Sequence, residues 1–250
     1  MSRLFSANMM RLRQSWIFLL EEIFMAGYAI FVYANAGINV AKGEVVQNWN
    51  IYFYNVLLVS GIAMALFVSV FLNAEYNDGT IRNKVVVGHS RKDIYLVNLA
   101  TCLLAGLIMC LTYYVVGIIF GYLFIGREVM RIQDIGVGMI GSILIFLVYT
   151  AIFVLVEMLD KNKTRSVEIN LIGAVLILAV GIICFGSLMG HPDTAGFMWH
   201  VIGVLLPSVL VMYIAGAESV SYFPIMIGLF IETVCFIGIG LWGFEKKDIQ

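Results

Sequence analysis

The chain has 250 residues, of which 62% are hydrophobic and 12% charged, and its mean hydropathy is +0.97. Soluble domains carry about a quarter charged residues, so this composition excludes an ordinary soluble protein and predicts an all-α, polytopic membrane protein. The formal net charge of −1 says little, because the placement of charges matters more than their sum in membrane proteins.

Residues 1–14 are predicted to form an amphipathic helix at the membrane interface, with a frayed tail as the alternative. The apolar face of this helix would comprise Leu4, Phe5, Met9 and Leu12. The arginines expected to extend toward anionic headgroups are Arg3, Arg11 and Arg13. Glu21 and Glu22 interrupt the apolar run that follows, so we expect the segment to be retained rather than cleaved as a signal peptide.

Six apolar stretches are long enough to cross a bilayer core of about 30 Å. They lie at about residues 15–34, 51–74, 93–125, 135–158, 167–188 and 220–243. Six spans place both termini on one side of the membrane. Of the 15 Lys and Arg residues, 12 fall on the side of the termini and 3 on the other, so the positive-inside rule predicts cytoplasmic termini.

The polar segment between the second and third spans, residues 75–92, predicts a short helix, with a solvated loop as the alternative. Asp78 is the expected N-cap, because a carboxylate there accepts hydrogen bonds from the free amides of the first turn. The helix is expected to cover about two turns from Thr80. It would end at Gly88, since glycine readily adopts the left-handed conformation of an exit residue. Ser90 then predicts a capping box that opens the third span.

Residues 197–215 are apolar enough to form a seventh span. Pro207 in their middle removes a backbone donor and kinks a helix, so two half-helices are predicted instead, within a re-entrant external segment at 189–219. Irregular backbone at membrane depth is tolerated where protein buries it. A full span remains the alternative, because it would move only the two lysines of the C-terminal tail outside.

Glycine motifs within the spans predict helix packing rather than nucleotide binding. Two GxGxxG matches, at 136–141 and 238–243, lack the βαβ context of a dinucleotide site. Two GxxxG patterns, at 117–121 and 186–190, bring helices close in membranes. The four cysteines fall in apolar runs and are expected to be buried, inert thiols.

Catalytic and metal-binding residues are not predicted in this chain. The sequence contains no GxxxxGK[ST] motif, so no P-loop nucleotide site is expected. The pair Glu21 and Glu22 resembles the acidic pair of CAAX-type membrane proteases, but Ala26 occupies the position where those proteases need an arginine. We therefore expect no enzyme activity and no cofactor or metal site of its own.

Glu232 is the acidic residue placed deepest in a span. An ionisable residue inside the membrane is costly and is a functional candidate by default. Three roles are open: a proton or cation site, a polar contact in a transport path, or an interhelical hydrogen bond made in the neutral form.

The polar segment resembles a known family, the permease subunits of ABC-2 type transporters. The residues that carry the resemblance are Glu75, Gly79, Thr80, Ile81, Arg82, Asn83, Lys84, Gly88, Ser90 and Arg91. Architecture extends it over nearly the whole chain: a basic amphipathic N-terminal helix, six spans, a broken helical pair before the last span and a short charged tail. It implies a single permease domain over residues 1–250.

In that family the segment is the coupling helix that docks on an ATPase subunit. The resemblance therefore implies a docking site of Glu75, Asp78, Gly79, Thr80, Ile81, Arg82, Asn83, Lys84, Val85, Gly88, Ser90 and Arg91, with Glu75 anchoring the helix. It also implies two ABC ATPase chains that hold ATP and magnesium. A second copy of the chain or a sister permease would complete the assembly, in a bacterial plasma membrane.

The substrate class is narrowed by the scarcity of fixed charges in the spans. An amphipathic peptide or hydrophobic molecule suits such a path better than a sugar, and no nucleic acid is expected. The resemblance favours the exporters of antimicrobial peptides and phenol-soluble modulins. The alternative function is an ion-coupled secondary transporter or channel that uses Glu232.

Overall fold

The computed structural model describes residues 2–43, 49–125, 132–160, 162–190, 197–216 and 223–247, in which every regular element is an α-helix. In chain order the helices are α1 Ser2–Gln14, α2 Trp16–Ala41, α3 Trp49–Phe53, α4 Val56–Asn77, α5 Thr80–Val86, α6 Arg91–Phe124, α7 Ile132–Leu159, α8 Lys163–Gly190, α9 Phe197–Leu205, α10 Pro207–Gly216 and α11 Phe223–Lys246. The prediction of an all-α protein is confirmed.

Six of the described helical segments are long and apolar enough to cross a membrane. They are Trp16–Ala41, Ile51–Asn77, Arg91–Phe124, Gly138–Leu159, Thr164–Leu188 and Phe223–Lys246. All six coincide with predicted spans, which confirms a multi-pass membrane protein. The first span runs seven residues beyond its predicted end, because Gly37 packs against Phe124 of α6 and lets the two helices stay together.

The centre of the bundle is α4. In the second span, 67% of the most apolar 18-residue stretch is buried, against 22% in the spans formed by α8 and α11. Helix α4 packs against α7 and α8, while α2 packs along α6 and α11 along α7. Side chains on the outer faces of α2, α8 and α11 are largely apolar and exposed. This distribution is typical of helices whose outer faces contact lipid tails.

The N-terminal segment is helical in the structure, so the frayed-tail alternative is wrong. Leu4 and Leu12 are buried in the core, with Phe5 and Met9 packed against it. Arg11 departs from the prediction. Instead of extending toward headgroups, it turns inward and pairs with a buried carboxylate, because that charge stabilises a guanidinium far more than lipid contact would.

The predicted break before the last span is present at Leu206, between α9 and α10. Pro207 occupies the first position of α10, where its missing N–H costs nothing. At 1.5 Å per residue, α9 and α10 are about 14 and 15 Å long, so neither spans a 30 Å core alone. Ser208 fixes α10 on α8 through a hydrogen bond from its hydroxyl to the Ile177 carbonyl, 2.8 Å.

The glycine motifs lie at helix contacts in the described part of the chain. A Cβ atom at Gly117 or Gly121 would lie 2.6 or 2.8 Å from the Tyr33 ring. Cβ atoms added at Gly138 and Gly240 would lie 2.0 Å from the side chains of Tyr54 and Tyr95, respectively. Gly186 and Gly238 differ, because no described atom from another helix lies within 4 Å of the position of either Cβ. The cysteine prediction is wrong at one residue: Cys235 is exposed on the outer face of α11, whereas the other three thiols are buried.

Candidate functional site

The segment between the second and third spans starts with a left-handed glycine. Gly79 has φ +66°, and its carbonyl accepts the first hydrogen bond of α5 from the Asn83 amide, 3.0 Å. Asp78 was predicted as the N-cap, and this prediction is wrong. Asp78 still has helical dihedrals and donates its amide to the Ala74 carbonyl, 2.9 Å. It therefore ends the preceding helix, and Gly79 takes the N-cap position.

The end of α5 follows the prediction. Gly88 has φ +96°, its amide donates to the Val85 carbonyl at 3.0 Å, and the His89 amide donates to the Lys84 carbonyl at 3.1 Å. These paired bonds form a Schellman motif, which closes a helix. Ser90 then accepts from the amide of Asp93 at 3.1 Å, which confirms it as the N-cap of α6.

Helix α5 has an inner and an outer face. Ile81 is 1% exposed and Lys84 9%, so both lie against the bundle. The outer face consists of the exposed residues Arg82, Asn83, Val86 and Val87. The residues assigned together to a docking surface therefore form two sets. One set packs α5 against the bundle, and the other faces away from the bundle.

Glu75, at the end of α4, is the carboxylate that holds the inner face. Its side chain is fully buried. Oxygen Oε1 forms ion pairs with Arg11 of α1 and Lys84 of α5. Oxygen Oε2 accepts a hydrogen bond from the amide of Asn98 on α6, 2.8 Å. One side chain thus joins four helices.

Two asparagines complete this cluster, which we call the Glu75 network: Asn8, Arg11, Glu75, Lys84 and Asn98. The Asn8 amide donates to Asn98 at 2.6 Å, and its carbonyl oxygen accepts from Lys84 at 2.9 Å. Each amide therefore satisfies a donor and an acceptor of a neighbour, as buried polar groups require.

The network contains two cations and one carboxylate. Burial, followed by the neighbouring Arg11 charge, lowers the pKa of Lys84 to about 8. Burial also lowers the pKa of Arg11 to about 10. Arg11 is further held by the Phe71 carbonyl at 2.7 Å and lies 3.8 Å above the Phe71 ring. Lys84 is therefore the member of the network that loses its proton first as pH rises.

A second set of contacts ties the end of α11 to the same end of the bundle. The Lys247 ammonium donates to the carbonyls of Met158 and Asp160, at 2.8 and 3.1 Å, and to the Tyr76 hydroxyl at 3.3 Å. Arg91 donates to the carbonyls of Glu245, in the last turn of α11, and of Lys247, just after it. Arg91 therefore contacts the end of α11, a contact that the docking role implied by the resemblance did not include.

Sequence reasoning missed Asn8, Asn98 and Lys247. A signal for the first two was available, since each is a polar residue on an apolar face: Asn8 lies among the apolar positions of α1 and Asn98 within the third span. Lys247 carried no such signal, because lysine in a charged tail is ordinarily solvated.

The other acidic candidates lie apart from this network. Glu232 is half-buried on α11. Glu22 accepts a hydrogen bond from the Thr112 hydroxyl of α6, and Glu21 is buried at a cleft between α2 and α4. Within the described ranges, no three His, Cys, Asp or Glu residues are grouped closely enough to hold a metal ion.

Comparison with known proteins identifies one family. The family described as ABC-2 family transporter protein matches residues 4–177, well over half of the chain. The matched range includes every member of the Glu75 network as well as α5. Among the curated proteins, none matches the chain.

Proposed function

The chain belongs to the ABC-2 transporter family, and we propose that it is the permease subunit of an ABC exporter whose ATP is hydrolysed by separate ATPase chains. The conclusion rests chiefly on α5. The Glu75 network fixes this helix to α1, α4 and α6. The helix nevertheless leaves a mixed basic and apolar face uncovered at one end of the bundle.

The outer face of α5 suits a protein partner. Val86 and Val87 are each 78% exposed, beside the exposed Arg82. Burying these two valines against a partner would stabilise the complex by about 25 cal/mol per Å² of apolar surface removed from water. The inner face makes the docking rigid, since a displacement of α5 also displaces Glu75 and Asn98, which belong to the second and third spans.

The proposed assembly has four chains. Two ATPase chains, with ATP and magnesium bound to them, dock on the coupling helices of two permeases, either two copies of this chain or this chain and a sister permease. Both termini lie in the cytoplasm of a bacterial cell, α1 lies at the membrane interface, and α9 and α10 form the re-entrant pair at the outer leaflet. Closure of the ATPases moves α5 and alternates access to the path.

The exported molecule is amphipathic or hydrophobic, with a toxin-like or antimicrobial peptide as the leading candidate. The support is chemical: the outer faces of the spans are apolar, and the charged side chains of the described bundle concentrate at its α5 end. A sugar or small ion would need polar groups along the path, since desolvating a polar solute without partners costs several kcal/mol.

Charge reversal on α5 tests the function. Arg82→Glu is expected to abolish co-purification with the ATPase and to reduce ATP-dependent transport in liposomes at least about tenfold, as loss of a docking contact of about 1.4 kcal/mol requires. Lys42→Glu is the matched control, because it also reverses one exposed positive charge, on the cap of α2 at the other end of the bundle. Full transport by this chain alone in liposomes would refute the proposal.

The second candidate function uses Glu232, which is half-buried within a span and has no hydrogen bond or ion pair to any residue that the structure describes. A secondary transporter would show uptake or export driven by a proton or sodium gradient without ATP. Glu232→Gln would remove that dependence, whereas in an ABC exporter it would leave the ATP requirement unchanged.

A further inference from the structure

A cleft of about 360 Å³ opens on the bundle surface between α2 and α4. This volume lies within the range of small-molecule sites, about 300–1,000 Å³. Its floor is formed by Ile17, Glu21 and Ala63, each 5% exposed. Its rim includes Leu20 and Phe24 of α2, which are 50% and 49% exposed. The cleft is thus an apolar groove with one carboxylate at its base.

Glu21 differs from Glu75 and Glu22 in its surroundings. Glu75 is neutralised by two cations, and Glu22 accepts a hydrogen bond from Thr112. Glu21 has no hydrogen bond or ion pair to any residue in the described part of the chain, and no basic residue lines the cleft. A carboxyl group in apolar surroundings without a partner is costly. A molecule that brings a hydrogen-bond donor or a cation into the cleft would remove this cost.

We propose that this cleft binds a hydrophobic cation, a molecule with one ammonium group on an apolar body. The ammonium pairs with Glu21, and the negative charge of Glu22 in the next position strengthens the attraction. The apolar body lies against Leu20 and Phe24 on one side and Ile62 and Leu66 on the other. Those four rim residues are partly exposed, so the molecule enters laterally from the bilayer.

The depth of the carboxylate fits an amphipathic cation. Glu21 lies five residues after Trp16, the first residue of α2, which corresponds to about 8 Å along the helix. A membrane-bound amphipath keeps its charge near the headgroups and its apolar part deeper. An ammonium group therefore reaches Glu21 without crossing the bilayer centre.

The inference deepens the proposed function, because it makes a cationic amphipath the class of molecule that the exporter takes from the lipid. Its role as an entry site rests on that function. Binding of the cation to the isolated chain does not rest on that function. A failed ATPase test and a failed binding test are therefore separate results.

The experiment uses the full chain in nanodiscs of zwitterionic lipid. The probes are N-dansyl-dodecanediamine, which carries one ammonium, and its N-acetylated neutral analogue. Wild type is expected to bind the amine at least about tenfold more tightly than the acetylated analogue, since truncating a buried charge pair typically costs more than 1.4 kcal/mol. Glu21→Gln removes this preference, and Glu168→Gln, which changes an exposed carboxylate on α8 away from the cleft, retains it.

Equal affinity of the two probes for wild type overturns the proposal, because the cleft then takes only an apolar chain. An unchanged preference in Glu21→Gln overturns it too. Leu66→Trp fills the groove while leaving the carboxylate, and it is expected to weaken amine binding. If Glu21→Gln does not fold, this second variant decides, since unaltered binding in Leu66→Trp places the amine elsewhere.

Discussion

At the scale of single residues, the chain places one fully buried carboxylate, Glu75, between two cations. Sequence reasoning marked Glu75 and Lys84 but set Arg11 at the lipid headgroups, because periodicity shows which face a residue occupies and not which distant residue it meets. Arg11 and Glu75 are 64 positions apart in sequence. Their pairing depends on how α1 packs across α6, which no local pattern encodes.

Removing the charge of Glu75 leaves two buried cations without a counterion. Glu75→Gln is therefore expected to lower the free energy of unfolding by about 3 kcal/mol, as breaking one side of a buried ion pair does. Thermal unfolding in detergent, followed through the reactivity of the buried thiol of Cys102, measures this. Glu245→Gln, which breaks an exposed pair with Lys92 at 3.2 Å, is the control and is expected to cost about 0.5 kcal/mol. Equal losses in the two variants would contradict the central role of Glu75.

The surplus cation gives the network a pH dependence with a definite sign. The pKa of Lys84 is lowered to about 8 in the folded chain, from 10.5. Between these values the unfolded chain binds more protons at Lys84 than the native chain does, so stability rises with pH. Wild type is expected to gain stability between pH 8 and 10.5 relative to Lys84→Met, which cannot titrate. Parallel stability curves for the two proteins across this window would contradict the assignment.

At the scale of elements, prediction succeeded where a backbone requirement is local. Gly88 and Ser90 were identified because a left-handed exit and an N-cap each use one residue type at one position. Asp78 was misassigned because two residues next to each other were both suitable N-caps. The structure resolves the ambiguity: α4 continues through Asp78 in a helical conformation, and only Gly79 tolerates φ +66°.

This turn gives a test free of packing effects. No atom lies within 4 Å of a Cβ added at Gly79, so Gly79→Ala costs only backbone strain, about 1 kcal/mol. It is expected to weaken ATPase co-purification as well, because the direction of α5 changes. Gly173→Ala, also in open space but in a regular helix, is the matched control and should be neutral or slightly stabilising. Equal stability of the two alanine variants would show that Gly79→Ala introduces no backbone strain.

At the scale of the whole molecule, hydropathy identified the six spans together with a seventh apolar stretch at 197–215. The break near Pro207 was also predictable, since proline lacks the backbone donor that a continuous helix requires. The contacts of Lys247 with Tyr76 and Met158 were not predictable, because they join the last helix to residues far earlier in the chain. The distribution of apolar residues along the chain determines which helices can cross the membrane, and specific long-range pairs determine how they are held together.

The predicted orientation is tested by thiol labelling from outside the cell. In a background with the exposed Cys235 replaced by alanine, Lys42→Cys is expected to react with a membrane-impermeant maleimide, because it caps α2 at the end that this orientation places outside. Arg82→Cys is expected to react only after the cells are permeabilised. The reverse pattern would place α5 outside the cell and exclude docking on a cytoplasmic ATPase.

The Glu75 network also bears on the order in which the chain is synthesised. Glu75 enters the membrane with the second span, before Lys84 and Asn98 have left the ribosome. Arg11 and Asn8 have already been made, so α1 supplies the first counterion during insertion. A deletion within α1 is therefore expected to leave Glu75 without its first counterion while the second span inserts. Its effect falls on biogenesis, and the amount of chain that reaches the membrane drops before transport is affected.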